Sequence, residues 1–175
     1  MIQLLPKFHV FLLVALMGWS CASSKKENRP SPYAMDSTKI ENVKLKISYS
    51  SPGVKKRKIW GELVPYGNMW RTGANEATTL EVSEDITLAG KPLPKGKYAI
   101  FTIPESNKWT LLFNTEWSQW GAYNYDDTKD VLVLEVEPQK AKELQERMKF
   151  YFEEDKLKFH WEYLTFSLEV SAKKQ

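Results

Sequence analysis

Apolar and polar side chains alternate with a period of two residues along much of this sequence, which limits the folds open to it. In the stretch 43–49, apolar side chains occupy every second position, and two lysines and a serine lie between them. Such alternation is typical of a β-strand with one buried face. Apolar or alternating runs recur over 98–103, 109–113, 131–136 and 164–170. The chain therefore reads as a series of short strands.

The number and spacing of these runs predict the fold class. Roughly seven to nine short strands, separated by turn signals, predict an all-β protein with an antiparallel β-sandwich. One short helical connection is predicted over 139–147, where helix-forming residues predominate and apolar side chains recur at helical spacing. The acidic run 153–155 is predicted to be the turn of a C-terminal hairpin.

Composition excludes several classes of protein. Of the 175 residues, 27% are charged and 42% are apolar, as in a soluble globular domain. The net charge of +3 reflects a near balance of basic and acidic residues, which argues against a nucleic-acid partner. A single cysteine excludes an intrachain disulfide framework, and one histidine after residue 20, His160, makes neither a zinc site nor a nucleophile–histidine dyad. We therefore predict no catalytic residue, metal or cofactor.

The first 20 residues are typical of an export signal. Lys7 precedes an apolar run over 10–17, which has the roughly 7–15 residues of a signal peptide and is shorter than the about 20 of a transmembrane helix. The only cysteine, Cys21, follows directly after Ser20, and a polar stretch comes next. This arrangement resembles the lipobox of bacterial lipoproteins, in which the cysteine becomes the lipid-carrying N-terminus.

The lipobox interpretation has an alternative, because Gly18 and Trp19 depart from the usual residues before the cysteine. The alternative is ordinary secretory cleavage nearby, with Cys21 removed or left as a thiol. We predict a lipoprotein signal peptide over 1–20, a flexible tether over 21–38 and a folded domain over 39–175. Acyl chains on Cys21 would then hold the protein on a membrane of the bacterial cell envelope.

Four sequence blocks in the middle of the chain are more specific than one short motif. They read KIWGELVPYGNMWRTGANEAT from residue 58, LPKGKYAIFTIP from residue 93, WTLLFN from residue 109 and QWGAYNY from residue 119. In this order they resemble the DUF2911 family, a group of secreted or lipid-anchored bacterial proteins found mainly in the Bacteroidota. The resemblance implies an exported domain, and this family offers no activity or catalytic residues to transfer.

The first candidate site lies in the Arg71 loop, residues 70–76. It places an aromatic ring, a cation, an amide and a carboxylate within seven residues, namely Trp70, Arg71, Asn75 and Glu76. Arg71 and Asn75 could hydrogen-bond a sugar or a carboxylate, and Trp70 could stack on the ligand. The alternative is an internal clamp, in which Arg71 pairs with Glu76 or loop carbonyls and Trp70 fills the core.

The second candidate site is the aromatic loop, residues 117–127. Trp120 and Tyr123 lie there outside any strand periodicity, next to glutamine and asparagine. Such a mixture suits carbohydrate stacking or a protein interface, although the rings could equally plug one end of the sandwich. If the Arg71 loop and the aromatic loop lie at the same end, they could share one groove.

The tryptophans divide into two groups by their sequence context. After residue 20, Trp109 and Trp161 follow strand patterns and are predicted to lie in the core. The other four lie in or beside loops and could be core or site residues: Trp60, Trp70, Trp117 and Trp120.

These patterns together predict a lipid-anchored envelope protein that acts as a binding or interaction module. Its predicted partners are the membrane, through Cys21, and a glycan or protein ligand. One alternative is a glycoside-hydrolase-like enzyme that uses Glu76 with a second carboxylate. Another is a purely structural envelope protein, which the internal clamp would favour.

Overall fold

A computed structural model describes residues 28–173, and the predictions for the signal peptide and for Cys21 lie outside these residues. In the described part, ten strands form two antiparallel sheets, which confirms the predicted all-β sandwich. In chain order the strands are β1 (Tyr33–Ile40), β2 (Val43–Ser50), β3 (Thr78–Val82), β4 (Ile86–Leu88), β5 (Lys91–Leu93), β6 (Gly96–Pro104), β7 (Trp109–Asn114), β8 (Asp130–Val136), β9 (Gln139–Glu153) and β10 (Lys156–Ala172).

The two sheets differ in size. The larger sheet has the strand order β1-β2-β3-β6-β7-β8, and the smaller sheet has the order β5-β4-β10-β9. The helical element in residues 28–173 is one short 3-10 turn over Asp127–Lys129. None of the helical segments described is long and apolar enough to cross a membrane.

The core lies between the two sheets and has a cluster of four tryptophans at its centre. Trp60 and Trp70 contact each other, and each contacts both Trp109 and Trp161, with ring centroids 4.8–6.2 Å apart. Trp109 and Trp161 are completely buried, as predicted from their strand positions. Aromatic pairs of this kind contribute about 0.5–1.5 kcal/mol each beyond their buried area. This tryptophan cluster therefore anchors one sheet to the other.

The helix predicted over 139–147 is wrong, because this segment is the first part of β9. β9 pairs along its length with β10. The pair of Gln145 and Glu162 lies between two irregularities in the register. Cross-strand pairing with a 17-residue strand outweighs the helix propensity of single residues. The C-terminal hairpin is confirmed, with Glu154 and Asp155 as its turn between Glu153 and Lys156.

The predicted tether also needs correction, because β1 begins at Tyr33 instead of residue 39. β1 pairs with β2 in register from Tyr33 opposite Ser50 to Ile40 opposite Val43. Its inward-facing positions before Ile40 carry small or polar side chains that are only half-buried, so the strand has no apolar period-two pattern. The Asp36 carboxylate accepts a hydrogen bond from the Phe152 backbone N–H at 2.7 Å, which ties β1 to the smaller sheet.

Candidate functional site

The Arg71 loop and the aromatic loop lie side by side. The Ala77 N–H donates to the Gln119 carbonyl at 3.0 Å, and the Gly121 N–H donates to the Asn75 carbonyl at 3.1 Å. These bonds form a short antiparallel bridge centred on Glu76 and Trp120. The condition for a shared groove is therefore met.

Beneath the two loops is a second, smaller apolar core on the outer face of the sheet. Phe101 and Leu112 are buried there with two alanines, and the ring of Tyr125 contacts Phe101 with centroids 5.1 Å apart. The Tyr125 hydroxyl donates to the Asp130 carboxylate, and burial together with this bond raises the pKa of Tyr125 well above its ordinary value. This packing fixes the base of the aromatic loop on the sheet.

A groove of about 430 Å³ lies between this pair of loops and the neighbouring strands. Trp117 and Trp120 line it from the aromatic loop and remain 43% and 57% exposed. Residues of β1, β2, β3 and β6 also line it, among them Tyr33, Lys46, Ser48, Ser50, Thr79 and Lys97. The groove thus combines exposed aromatic rings with hydroxyl and ammonium groups.

The strand residues reach the groove because of the same period-two alternation that builds the core. On β2, Lys46 and Ser48 face outward while Leu45 and Ile47 are buried between the sheets. In the sheet register, Ser48 lies opposite Thr79 on β3. The polar residues that alternate with the buried apolar residues along each strand therefore form a polar row on the outer face of the sheet.

Glu76 lies in the groove and binds a cation from the N-terminal segment. Both of its carboxylate oxygens accept hydrogen bonds from Arg29, at 3.0 and 2.9 Å. The Ser50 hydroxyl lies 3.5 Å from the same carboxylate. The Arg29 guanidinium carbon is 5.8 Å from the centroid of the Trp120 ring, within the range of a cation–π contact. Arg29 therefore joins Glu76 to Trp120.

Comparison with known proteins gives one match. A family model described as "Protein of unknown function (DUF2911)" matches residues 31–170. The chain belongs to the DUF2911 family. No curated protein and no solved structure matches it. The start of the match at Ser31 agrees with the start of β1, so β1 is part of the DUF2911 domain.

The remaining predicted site residues of the DUF2911 domain lie outside the groove lining. Trp70 packs in the tryptophan cluster, and its indole N–H donates to the Gly73 carbonyl at 3.0 Å. Asn75 has a positive φ of 58°, and its amide donates to the Ser31 carbonyl at 3.2 Å. These contacts give Trp70 a place in the core and give Asn75 a role in holding the N-terminal segment.

Arg71 and Tyr123 lie close together but do not line the groove. Arg71 is half-buried, and its buried Nε has no hydrogen-bond partner among residues 28–173. Burial lowers the pKa of Arg71, and the nearby Tyr123 partly opposes this effect. Tyr123 is 84% exposed, so its ring does not plug the sandwich.

Sequence reasoning does not identify Lys46 and Lys97 as groove residues. An outward-facing lysine on a strand has the same pattern whether it faces open solvent or a loop. Only the sheet register shows that Lys46 and Lys97 both lie opposite Glu81, on either side of β3. In the described part of the DUF2911 domain, no cluster of histidine, cysteine or acidic residues could hold a metal ion.

Proposed function

We propose that this DUF2911 protein is a lipid-anchored binding module of the bacterial cell envelope. Its ligand site would be the groove beneath Trp117 and Trp120, and its ligand a carbohydrate or another polar molecule. The envelope location rests on the signal-like first 20 residues and on Cys21 directly after them.

The observation that carries the proposal is the exposure of two tryptophans over a polar floor. Trp117 and Trp120 keep 43% and 57% of their surface in water, although the same chain buries Trp109 and Trp161 completely. Tryptophan pairs a large apolar ring with one polar group, which suits stacking on the apolar face of a sugar. Beside the rings, the hydroxyl groups of the floor can both donate and accept hydrogen bonds.

The hydrolase alternative needs a second carboxylate across the groove from Glu76, at about 5–9.5 Å depending on the stereochemistry. Among the described residues that line the groove, Glu76 is the only acid. Both oxygens of its carboxylate also accept hydrogen bonds from Arg29. These features support a binding site over a hydrolytic one.

The structural alternative rests on an Arg71–Glu76 clamp. Glu76 instead bonds to Arg29, while the buried Nε of Arg71 has no partner among residues 28–173. This arrangement argues against the clamp and for a groove that is open to a ligand.

A glycan array probed with the mature chain tests the proposal. Trp117→Ala and Trp120→Ala are expected to lose the glycans that the wild type retains. Tyr163→Ala is the matched control, because it removes an aromatic ring that is 42% exposed on β10, away from the groove. Glycan binding that survives the combined Trp117→Ala and Trp120→Ala substitutions would contradict the proposed site.

Lipidation is tested separately. Growing cells with a fatty-acid analogue should label the wild-type protein and should not label Cys21→Ser. Equal labelling of the two proteins would refute the anchor without affecting the groove.

A further inference from the structure

We infer that the ligand of this groove is an acidic saccharide, a sugar chain whose rings carry carboxylate groups. This inference rests on the proposed function and goes further, because it names the class of sugar. Its basis is the pair of lysines, Lys46 and Lys97, that line the groove together with the exposed tryptophans.

Lys46 supplies an ammonium group that no other described residue engages. Among residues 28–173, no hydrogen bond or ion pair engages its side chain, although Glu81 lies directly opposite it in the register. Lys46 projects from β2 on the same face as Ser48 and Ser50, which line the groove with it. A carboxylate in the groove would give this ammonium the partner that the described residues do not provide.

Lys97 places a second ammonium group against an aromatic wall. Its Nζ is 3.9 Å from the centroid of the Trp117 ring and 3.9 Å from the nearest Glu81 carboxylate oxygen. A hydrogen bond requires a shorter distance than 3.9 Å, so the ammonium protons remain available to a ligand. Its contact with the Trp117 ring holds the charge within the groove.

The acidic groups around the groove do not cancel this positive charge. The Glu76 carboxylate is bonded to Arg29 on both oxygens. Glu81 is the other nearby acid, and it is not among the residues that line the groove. Among the described residues, three cations therefore stand against two carboxylates around the groove: Arg29, Lys46 and Lys97 against Glu76 and Glu81. These five described groups together carry an excess of positive charge.

A sugar fits the rest of the lining better than a polyanion without rings would. Trp117 and Trp120 offer flat apolar surfaces, and Ser48 and Thr79 offer hydroxyl groups on adjacent strands. A carboxylate-bearing sugar ring can use both kinds of group and the lysines together.

The test measures binding of oligogalacturonate by titration calorimetry at low salt. The protein is the mature chain from residue 21 with Cys21→Ser, so that it carries no lipid. The fully methyl-esterified oligomer is the matched ligand, because it keeps the rings and removes the charge. Polyglutamate is the second matched ligand, because it keeps the carboxylates and removes the rings.

The wild type should bind oligogalacturonate more tightly than either matched ligand. The double substitution Lys46→Gln with Lys97→Gln should weaken that binding by about tenfold or more, because charge-assisted hydrogen bonds to both ammonium groups are lost. The same double substitution should weaken binding of the methyl ester by a clearly smaller factor, because that ligand offers the two ammonium groups no carboxylate. Lys44→Gln is the control, because Lys44 lies on β2 two residues from Lys46 and does not line the groove.

Equal binding of the acid and its methyl ester would overturn the inference, as would equal binding of polyglutamate. Undiminished binding of oligogalacturonate by the double variant would also overturn it. If the wild type binds no oligogalacturonate but retains neutral glycans in a way that depends on Trp120, the inference fails and the proposed function stands. If it retains no glycan of either kind, both fail.

Discussion

Replacing a tryptophan of the core should cost far more stability than replacing one of the groove. Trp109 is completely buried and contacts four aromatic rings with centroids 4.8–6.2 Å away: Trp60, Trp70, Phe159 and Phe166. Trp120 is 57% exposed, and its ring centroid lies 5.8 Å from the guanidinium carbon of Arg29. The two residues therefore test whether folding and binding use different tryptophans.

The expected loss in the free energy of unfolding follows from the area that each tryptophan side chain buries. A buried tryptophan side chain removes up to about 250 Å² from water, which at about 25 cal/mol per Å² corresponds to an upper limit of about 6 kcal/mol. Substitutions of this kind in other cores cost about 3–5 kcal/mol, so we expect about 4 kcal/mol for Trp109→Ala. For Trp120→Ala we expect about 1 kcal/mol or less, because more than half of the ring is already in water and a cation–π contact there contributes about 0.5–1 kcal/mol.

The assay is urea unfolding followed by far-ultraviolet circular dichroism, with the slope of free energy against urea compared between variants. If Trp109→Ala does not fold, Trp109→Phe replaces it, and about half the loss is expected because a smaller ring remains. The indole N–H of Trp109 has no hydrogen-bond partner among residues 28–173, so phenylalanine removes no hydrogen bond there. A loss of stability for Trp120→Ala equal to that for the Trp109 variant would refute the division of the tryptophans.

Two further predictions concern polar contacts. A double-mutant cycle on Arg29→Ala and Glu76→Gln should show a coupling energy of about 1 kcal/mol by urea unfolding, because Nη1 of Arg29 bonds both carboxylate oxygens and the pair is only partly exposed. Purely additive effects would contradict the pairing. Tyr125 should make the stability of the domain depend on alkaline pH. Burial and the bond to Asp130 raise the pKa of Tyr125 in the folded state, whereas the unfolded chain releases the proton at about pH 10, the ordinary tyrosine pKa. The domain should therefore lose stability as the pH rises above about 10. Stability is then fully present below pH 10, and Tyr125→Phe should reduce the alkaline loss; an unchanged alkaline profile would contradict it.

How far the sequence predicts the fold depends on whether a pattern is local. β2 is predicted because its side chains alternate between sheet core and outer face. β9 is missed over 139–147, since pairing with β10 overrides local helix propensity. β1 is missed because most of its inward-facing side chains are small or polar and only half-buried, so the sequence shows no apolar alternation there.

The site residues show the same difference between local sequence patterns and long-range strand pairing. Residue type alone brings forward Glu76 and Trp120, and both line the groove. The sequence cannot separate Trp70 from Trp120, since both lie in loops between strands; only the path of the chain sends Trp70 into the core. Lys46 and Lys97 gain their importance from sheet register across three strands, which is long-range information.

The most direct test of the groove follows the indole N–H signals of the nitrogen-15-labelled protein by nuclear magnetic resonance during titration with the glycan that binds best. Each signal is assigned from the matching tryptophan-to-phenylalanine variant. We expect the signals of Trp117 and Trp120 to shift in proportion to bound ligand, while those of Trp109 and Trp161 stay in place. Shifts confined to other residues, with Trp117 and Trp120 unchanged at saturation, would contradict this expectation.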